Sequence, residues 1–196
     1  MDSTQLIVSQ LSGDALSSIS SKLGVDESQA QQAIGLALPA LIGALNRNTS
    51  QEDGAQALLS ALTRDHDGSI LENVSQKAVR PETLKDGAAI LGHVFGEKET
   101  AIENSLGAAS GLDAQTITQL LSMLAPIVLG ILGQRSQEQE LDAAGLAGLL
   151  QTERNATTSA LPGIAQLLDF DGDGDISNDV ISLGSQLLGG LFKKKN

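Results

Sequence analysis

The fold is decided by residues 24–45, which read GVDESQAQQAIGLALPALIGAL and return later in the chain, at residues 111–132, as GLDAQTITQLLSMLAPIVLGIL. Each matched position is shifted by 87, and the match runs over 22 positions without a gap. In both copies a turn containing Gly and Asp precedes a long apolar run. Asp26 and Asp113 stand where an N-cap accepts the amides of the first helical turn, and Gln29 completes a capping box. Both stretches therefore predict buried helices.

Two further motifs recur in the same order along the chain. The loop DHDGSI at 65–70 matches DGDGDI at 171–176, and ILGHVF at 90–95 matches LLGGLF at 187–192. Three motifs in one order indicate an internal duplication. We therefore predict two tandem pseudo-repeats packed into one body, residues 1–104 and residues 105–196.

Helical patterns dominate the chain, and the predicted fold class is all-α. Strand signals are nearly absent, since no sustained alternation and no aromatic ladder is present. Pro39 and Pro126 lie inside the two apolar stretches, where a missing N–H group predicts a kink or a break in each helix. Glycine costs about 1 kcal/mol against alanine inside a helix, so close helix crossings are expected at Gly35, Gly43, Gly130 and Gly133.

Two more helices are predicted in the first copy, one before its acidic loop and one after it. Residues Glu52–Leu62 carry apolar side chains at helical spacing, from Ala55 to Leu62. Residues Pro81–Gly92 begin with a proline, which is favoured in the first helical turn, followed by an acidic residue.

Composition limits the possible function classes. The chain has 196 residues, a formal net charge of -12, 41% apolar but only 2% aromatic residues, and no Cys. Without Cys there is no disulfide, no thiolate nucleophile and no cysteine-type zinc site. An acidic chain is repelled by phosphate backbones, so nucleic-acid binding is not expected.

Targeting signals are not evident in the sequence. Residues Met1–Gln10 lack the basic start of a secretory signal, and the apolar runs Ala33–Leu45 and Met123–Leu132 are shorter than the roughly 20 residues of a transmembrane helix. We therefore expect a cytoplasmic protein without a transmembrane segment. Lys193–Lys195 follow an apolar stretch, which suggests a weak membrane-surface or partner contact. The alternative is that these cations stabilise a helix C-terminus.

The sharpest chemical motif is the second acidic loop, DFDGDGDISND at 169–179. Calcium takes six to eight oxygen ligands, and a D-x-D-x-D-G loop supplies them from alternate positions while glycine makes the sharp turn. The predicted Ca²⁺ ligands are Asp169, Asp171, Asp173, Asp175 through its carbonyl group, Ser177 and Asp179. The usual final bidentate Glu would fall at Val180, and Asp179 is one residue early. The alternative is a solvated acidic turn.

The first acidic loop is a weaker candidate for the same ion. Its predicted ligands are Thr63, Asp65, Asp67 and Ser69, with Gly68 at the turn. Two carboxylates and one hydroxyl indicate a relic or a low-affinity site. The alternative interpretation is a turn in which Asp side chains cap the next helix.

No catalytic constellation is recognisable, and we expect a protein that is not an enzyme. His66 lies inside the first acidic loop, and His93 lies in an apolar stretch where a packing role is expected. The motifs of serine hydrolases, zinc proteases, P-loop proteins and dinucleotide-binding proteins do not occur.

Together these motifs resemble a bacterial family catalogued as a domain of unknown function, number nine-thirty-seven. The residues that carry the resemblance are DHDGSIL (65–71), DFDGDGDIS (169–177), LPALIGAL (38–45), APIVLGIL (125–132) and ILGHVFG (90–96). It covers most of the chain and implies a bacterial, helical, repeat-built protein. It implies no established activity and supplies no catalytic residues. The second loop alone also resembles those of EF-hand and dockerin modules.

The function expected from these features is a calcium-binding structural or interaction protein that self-associates, as a homo-oligomer or with a protein partner, through Gly, Ala and Leu faces. The alternative is a carrier of an apolar small ligand, enclosed between the two proline-containing helices. Its cavity is expected to be lined by Ile34, Leu38, Met123 and Ile127.

Overall fold

The computed structural model describes residues 3–160, and this part of the chain consists of helices and turns without a strand. The all-α prediction is confirmed. Short 3-10 segments cover Ser69–Asn73 and Gly96–Lys98. The α-helices of the described residues are α1 (Ser3–Gln10), α2 (Asp14–Leu23), α3 (Glu27–Asn48), α4 (Glu52–Asp65), α5 (Val74–Lys77), α6 (Pro81–Phe95), α7 (Glu99–Ser110), α8 (Ala114–Glu138) and α9 (Ala143–Ala160).

The long helices begin where their capping residues predict. Asp26 forms the complete capping box of α3, because its Oδ1 accepts from the Gln29 amide at 2.8 Å and its own amide donates to Gln29 Oε1 at 3.4 Å. Asp113 caps α8 by accepting from the Thr116 amide at 2.9 Å and from the Thr116 hydroxyl at 2.8 Å. Pro81 occupies the first turn of α6. These contacts satisfy amides that a helix leaves unpaired at its start.

Helix α8 lies at the centre of one hydrophobic core. Leu120, Leu121, Met123, Leu124 and Ile127 are completely shielded from solvent. Helices α4, α6 and α7 all pack against α8. Helix α9 packs against α3 and α4. Because almost every residue in the middle of α8 is aliphatic, this helix can be enclosed from all sides.

Of the kink or break expected at each proline, the break does not occur and the kink remains a prediction. Helix α3 continues through Pro39, and α8 continues through Pro126. Pro126 has no N–H to donate to the carbonyl group of Ser122, four residues earlier. Gly87 of α6 lies directly over this carbonyl group, since a Cβ atom at Gly87 would be 1.8 Å from Ser122 O. A glycine Cα–H group is a weak donor, so α6 covers the carbonyl group that Pro126 leaves without its helical partner.

Close crossings occur at two of the four predicted glycines. A Cβ atom at Gly133 would lie 1.9 Å from His66 O, and one at Gly130 would lie 2.7 Å from Ile70 Cγ2. Within the described part of the chain no close crossing occurs at Gly35 or Gly43, where no atom lies within 4 Å of an added Cβ. Both residues of α3 are partly exposed, so this side of the helix meets no neighbouring helix at these points.

The turns before α3 and α8 have the same construction. Helices α2 and α7 end at Gly24 and Gly111, whose φ angles of 70° and 74° lie in the left-handed region that glycine favours. An aspartate N-cap follows two residues later in each case. The duplication itself remains a prediction, because residues 161–196, which contain two of its three repeated motifs, lie outside the described residues.

One described helix, Ala114–Glu138, is long and apolar enough to cross a bilayer, but 83% of its most apolar window is buried inside the protein. A core helix of a folded domain has the same composition.

Candidate functional site

The second acidic loop and Lys193–Lys195 lie outside the described residues. The structure therefore gives the placement of the first loop only, which connects α4 to α5. The second acidic loop is therefore compared with the first loop by sequence.

The first two predicted ligands of this loop belong to the end of helix α4. The Thr63 hydroxyl donates to the carbonyl oxygen of Leu59 at 2.9 Å, as part of the helix surface. Asp65 is the last residue of α4 and pairs with Arg64, with 2.6 Å between Arg64 Nη2 and Asp65 Oδ2. This bidentate contact with the guanidinium group lowers the pKa of Asp65 below its ordinary value. Thr63 and Asp65 are therefore engaged within α4.

Asp67 stabilises the turn that follows. Its Oδ1 accepts a hydrogen bond from the amide of Ser69 at 2.9 Å, at the start of the 3-10 segment. Hydrogen bonds from the backbone and the side chain of Ser69 lower the pKa of Asp67, and the positive charge of Lys77 adds to this effect. Gly68 makes the turn with a φ of 94°, in the left-handed region. This is the arrangement of the alternative interpretation, in which Asp side chains cap the next segment.

A lysine that the loop pattern does not include completes this site. Lys77, at the end of α5, donates through Nζ to the carbonyl oxygen of Ser69 and to Glu72 Oε2, the latter at 2.9 Å. In a D-x-D-x-D-G loop the residue after the glycine offers its carbonyl group to the cation, and that residue is Ser69. The Lys77 ammonium group therefore binds the carbonyl group of Ser69, which is one of the predicted Ca²⁺ ligands. Its position after the last residue of the loop motif explains why the motif does not identify it.

The loop is attached to the C-terminal half of α8. A Cβ atom at Gly68 would lie 3.2 Å from the Cβ of Gln134, and Ile70 packs over Gly130. The carbonyl group of His66 rests on Gly133. The two glycines of α8 thus allow the loop backbone to approach the helix closely.

Charges of both signs surround this loop. A cleft of 250 Å³ is lined by Asp67, Glu82 and Asp86 as well as by Lys77 and Arg80. Among residues 3–160, no group of three or more His, Asp or Glu side chains lies close enough together to hold a metal ion. The described loop is held by hydrogen bonds and by the Lys77 ion pair, and metal binding there remains a prediction.

The four residues expected to line a cavity between the two proline-containing helices are buried in the core, and the cavity itself remains a prediction. Ile34 and Leu38 are 6% and 4% exposed, and Met123 and Ile127 are fully buried in the same core. None of the four lines the cleft beside the loop or the larger groove between α4 and α6. His93, for which we expected a packing role, is exposed on α6 with Nδ1 2.9 Å from the carbonyl oxygen of Ala89.

Comparison with known proteins identifies one family. The model of a family described as "bacterial protein of unknown function (DUF937)" matches residues 5–135, two thirds of the chain. The matched part contains the first acidic loop and ends before the second. No curated protein and no solved structure matches the chain.

Proposed function

Because this chain belongs to the DUF937 family of bacterial proteins of unknown function, its role must be argued from its own residues, and we propose a non-enzymatic helical interaction protein that is stabilised by Ca²⁺ at residues 169–179. The ion has a structural role in this proposal. A sensor-type loop ends in a bidentate Glu, and this sequence has Val180 at that position.

The observation that supports the proposal is the Lys77 ammonium group in the first loop. There a built-in cation meets the carbonyl group of Ser69 and the carboxylate of Glu72. The aligned second loop has five aspartates in eleven residues, and the sequence contains no Lys, Arg or His from 155 to 192. Continuing the alignment without a gap places Leu183 at the position of Lys77. The second loop therefore has more negative charge and no local basic side chain.

A bound cation resolves this imbalance. Several carboxylates in one turn repel one another unless a cation or protons neutralise them. Calcium accepts six to eight oxygens in flexible geometry, which suits a chain segment of alternating aspartates and glycines. The proposed ligands are Asp169, Asp171, Asp173, Asp175, Ser177 and Asp179.

The test compares two matched loop variants of the full chain. Calorimetric titration with Ca²⁺ should give heat for the wild type, and its melting temperature should rise with Ca²⁺, because a ligand of the folded state stabilises it by mass action. The double change Asp171→Asn with Asp173→Asn should abolish both effects. The matched change Asp65→Asn with Asp67→Asn, in the loop that contains Lys77, should leave both effects in place.

Two results would contradict the proposal. One is the absence of calcium heat and of a thermal shift in the wild type. The other is loss of calcium binding in the first-loop variant with full binding in the second-loop variant, which would move the site to the loop that holds Lys77.

Self-association is a further part of this proposal. Gly87, Gly130 and Gly133 contact other parts of the same chain, whereas an added Cβ at Gly35 or Gly43 of α3 would meet no atom of residues 3–160 within 4 Å. We propose that a second copy or a protein partner meets this side of α3. Light scattering should show a species larger than the monomer, and a strict monomer with and without Ca²⁺ would rule out self-association.

A further inference from the structure

A groove runs between α4 and α6, and none of the proposed Ca²⁺ ligands lines it. Its volume is 800 Å³, and it is open to solvent on one side. Ligand sites in proteins usually measure about 300–1,000 Å³. The lining residues are Leu45, Arg47, Asn48, Ser50, Gln51, Gly54, Ala57, Leu58, Ala61, Arg64, His66, Ala89, Ile90, His93, Val94 and Leu129.

Small side chains create this groove. Gly54, Ala57 and Ala61 are spaced by three and four residues and therefore share one face of α4. Ala89 lines the side of α6. Both helices pack on α8, but these short side chains do not fill the space between them. Leu129 of α8, 4% exposed, lies at the apolar base of the groove.

The groove is lined by two arginines and two histidines. These are Arg47, Arg64, His66 and His93, and no Asp or Glu of residues 3–160 lines it. This is unusual in a chain whose formal net charge is -12. Arg64 is paired with Asp65, and this ion pair offsets part of its positive charge. A guanidinium group has five N–H donors, so Arg64 can also donate to a second anion.

His93 offers a defined hydrogen-bonding atom to a ligand. Its Nδ1 contacts the carbonyl oxygen of Ala89 at 2.9 Å, so Nδ1 carries the hydrogen. Nε2 of the neutral ring is then an acceptor, so the guanidinium groups of the lining, rather than His93, donate to an acidic head, and His93 can accept from a hydroxyl group beside it. Asn48, by contrast, donates through Nδ2 to the carbonyl oxygen of Val94 at 3.0 Å and holds the end of α3 to α6.

We propose that this groove binds an anionic amphiphile, a small molecule with a hydrocarbon chain and one carboxylate or similar acidic head. The hydrocarbon chain lies over Leu129 between the small residues of α4 and α6. The acidic head lies among the basic side chains of the lining. Both chemistries are required, because the apolar base gives affinity without selectivity and the basic residues select for an acidic head.

The test measures displacement of dansyl undecanoate fluorescence from the full-length protein by laurate and by lauryl alcohol. Laurate should displace the probe at lower concentration than the alcohol, since both carry the same hydrocarbon chain and only laurate is charged. Arg64→Gln should weaken laurate roughly two- to fivefold, the range of an exposed ion pair, and should leave the alcohol unchanged.

A matched pair of variants locates the site. Ala88 and Ala89 are adjacent exposed residues of α6, and only Ala89 lines the groove. Ala89→Trp should fill the groove and abolish probe binding, whereas Ala88→Trp should bind as the wild type does. Far-ultraviolet circular dichroism checks that both variants are folded.

Three outcomes would overturn the proposal. The first is a folded wild type that binds neither the probe nor laurate. The second is equal displacement by laurate and lauryl alcohol, which would remove the acidic head from the argument. The third is equal loss of binding in the two tryptophan variants, which would place the probe elsewhere. None of them bears on calcium binding, because the calcium test uses no amphiphile.

Discussion

Replacing Gly87 by alanine tests the crossing between α6 and α8 on which the core depends. The new Cβ atom would lie 1.8 Å from the carbonyl oxygen of Ser122, 2.6 Å from its carbonyl carbon and 2.8 Å from its Cα. All three are backbone atoms, so no side-chain rotation relieves the contact. Since real Cβ atoms do not come closer than 3.0 Å, the two helices must separate by about 1 Å.

The expected cost follows from what that separation disrupts. Helix α6 inserts Leu91, Val94 and Phe95 into the core, and each is at most 7% exposed. A gap of 0.5–1 Å removes roughly a quarter to a half of each dispersion contact, and overpacking of a core typically costs about 1–3 kcal/mol. Alanine recovers about 1 kcal/mol through its better helix propensity. Because the clash involves backbone atoms only, the upper end of the overpacking range applies, about 3 kcal/mol. The net loss is then about 2 kcal/mol, or a melting temperature lower by about 4–8 °C for a chain of this size.

Gly148→Ala in α9 is the matched control, because an added Cβ there meets no atom of the described residues within 4 Å. This variant should gain up to about 1 kcal/mol from helix propensity alone. The assay is thermal and urea unfolding of both variants beside the wild type, followed by circular dichroism. The reasoning would be refuted by a Gly87→Ala protein as stable as the Gly148→Ala protein.

Two further predictions concern carboxylates. Hydrogen bonds from Thr116 lower the pKa of the Asp113 carboxylate. Its stabilising contribution is therefore present at neutral pH and is lost as the pH falls below about 4. Asp113→Asn should flatten the plot of stability against pH in this range, and an unchanged plot below about pH 4 would contradict the capping role. Glu103 is 9% exposed and lies on α7 one helical turn after Glu99. Burial and the charge of Glu103 together raise the pKa of Glu99. The contribution of Glu99 to stability therefore falls as the pH rises through that raised value. NMR titration should find a lower pKa for Glu99 in Glu103→Gln, and an unchanged pKa would show that the two carboxylates do not interact.

Local signals in the sequence predicted the helix starts correctly. Asp26 and Asp113 cap α3 and α8, and Pro81 opens α6, because capping involves only residues within one turn of each other. The helix Glu52–Leu62 extends to Asp65 in the structure. This extension matters for the candidate site, since it places Thr63 and Asp65 within the helix.

Signals that depend on a partner helix were predicted less well. Gly130 and Gly133 meet the first loop closely, but Gly35 and Gly43 occupy similar apolar sequence and meet no atom of the described residues. The continuous helix through Pro126 is a second case. Whether a proline interrupts a helix depends on what encloses it, and Gly87 of α6 covers the carbonyl group that Pro126 leaves unpaired.

The helical class and the helix caps follow from the amino-acid sequence alone, because they depend on neighbours within a few positions. Two features follow from the packing of the helices instead: the Lys77 ammonium group meets the carbonyl group of Ser69, and small residues on α4 and α6 leave a basic-edged groove above Leu129. Both are contacts between segments whose separation in space is set by the packing of helices around α8. A pattern along the chain records which side chains are present, and the packing decides which of them meet.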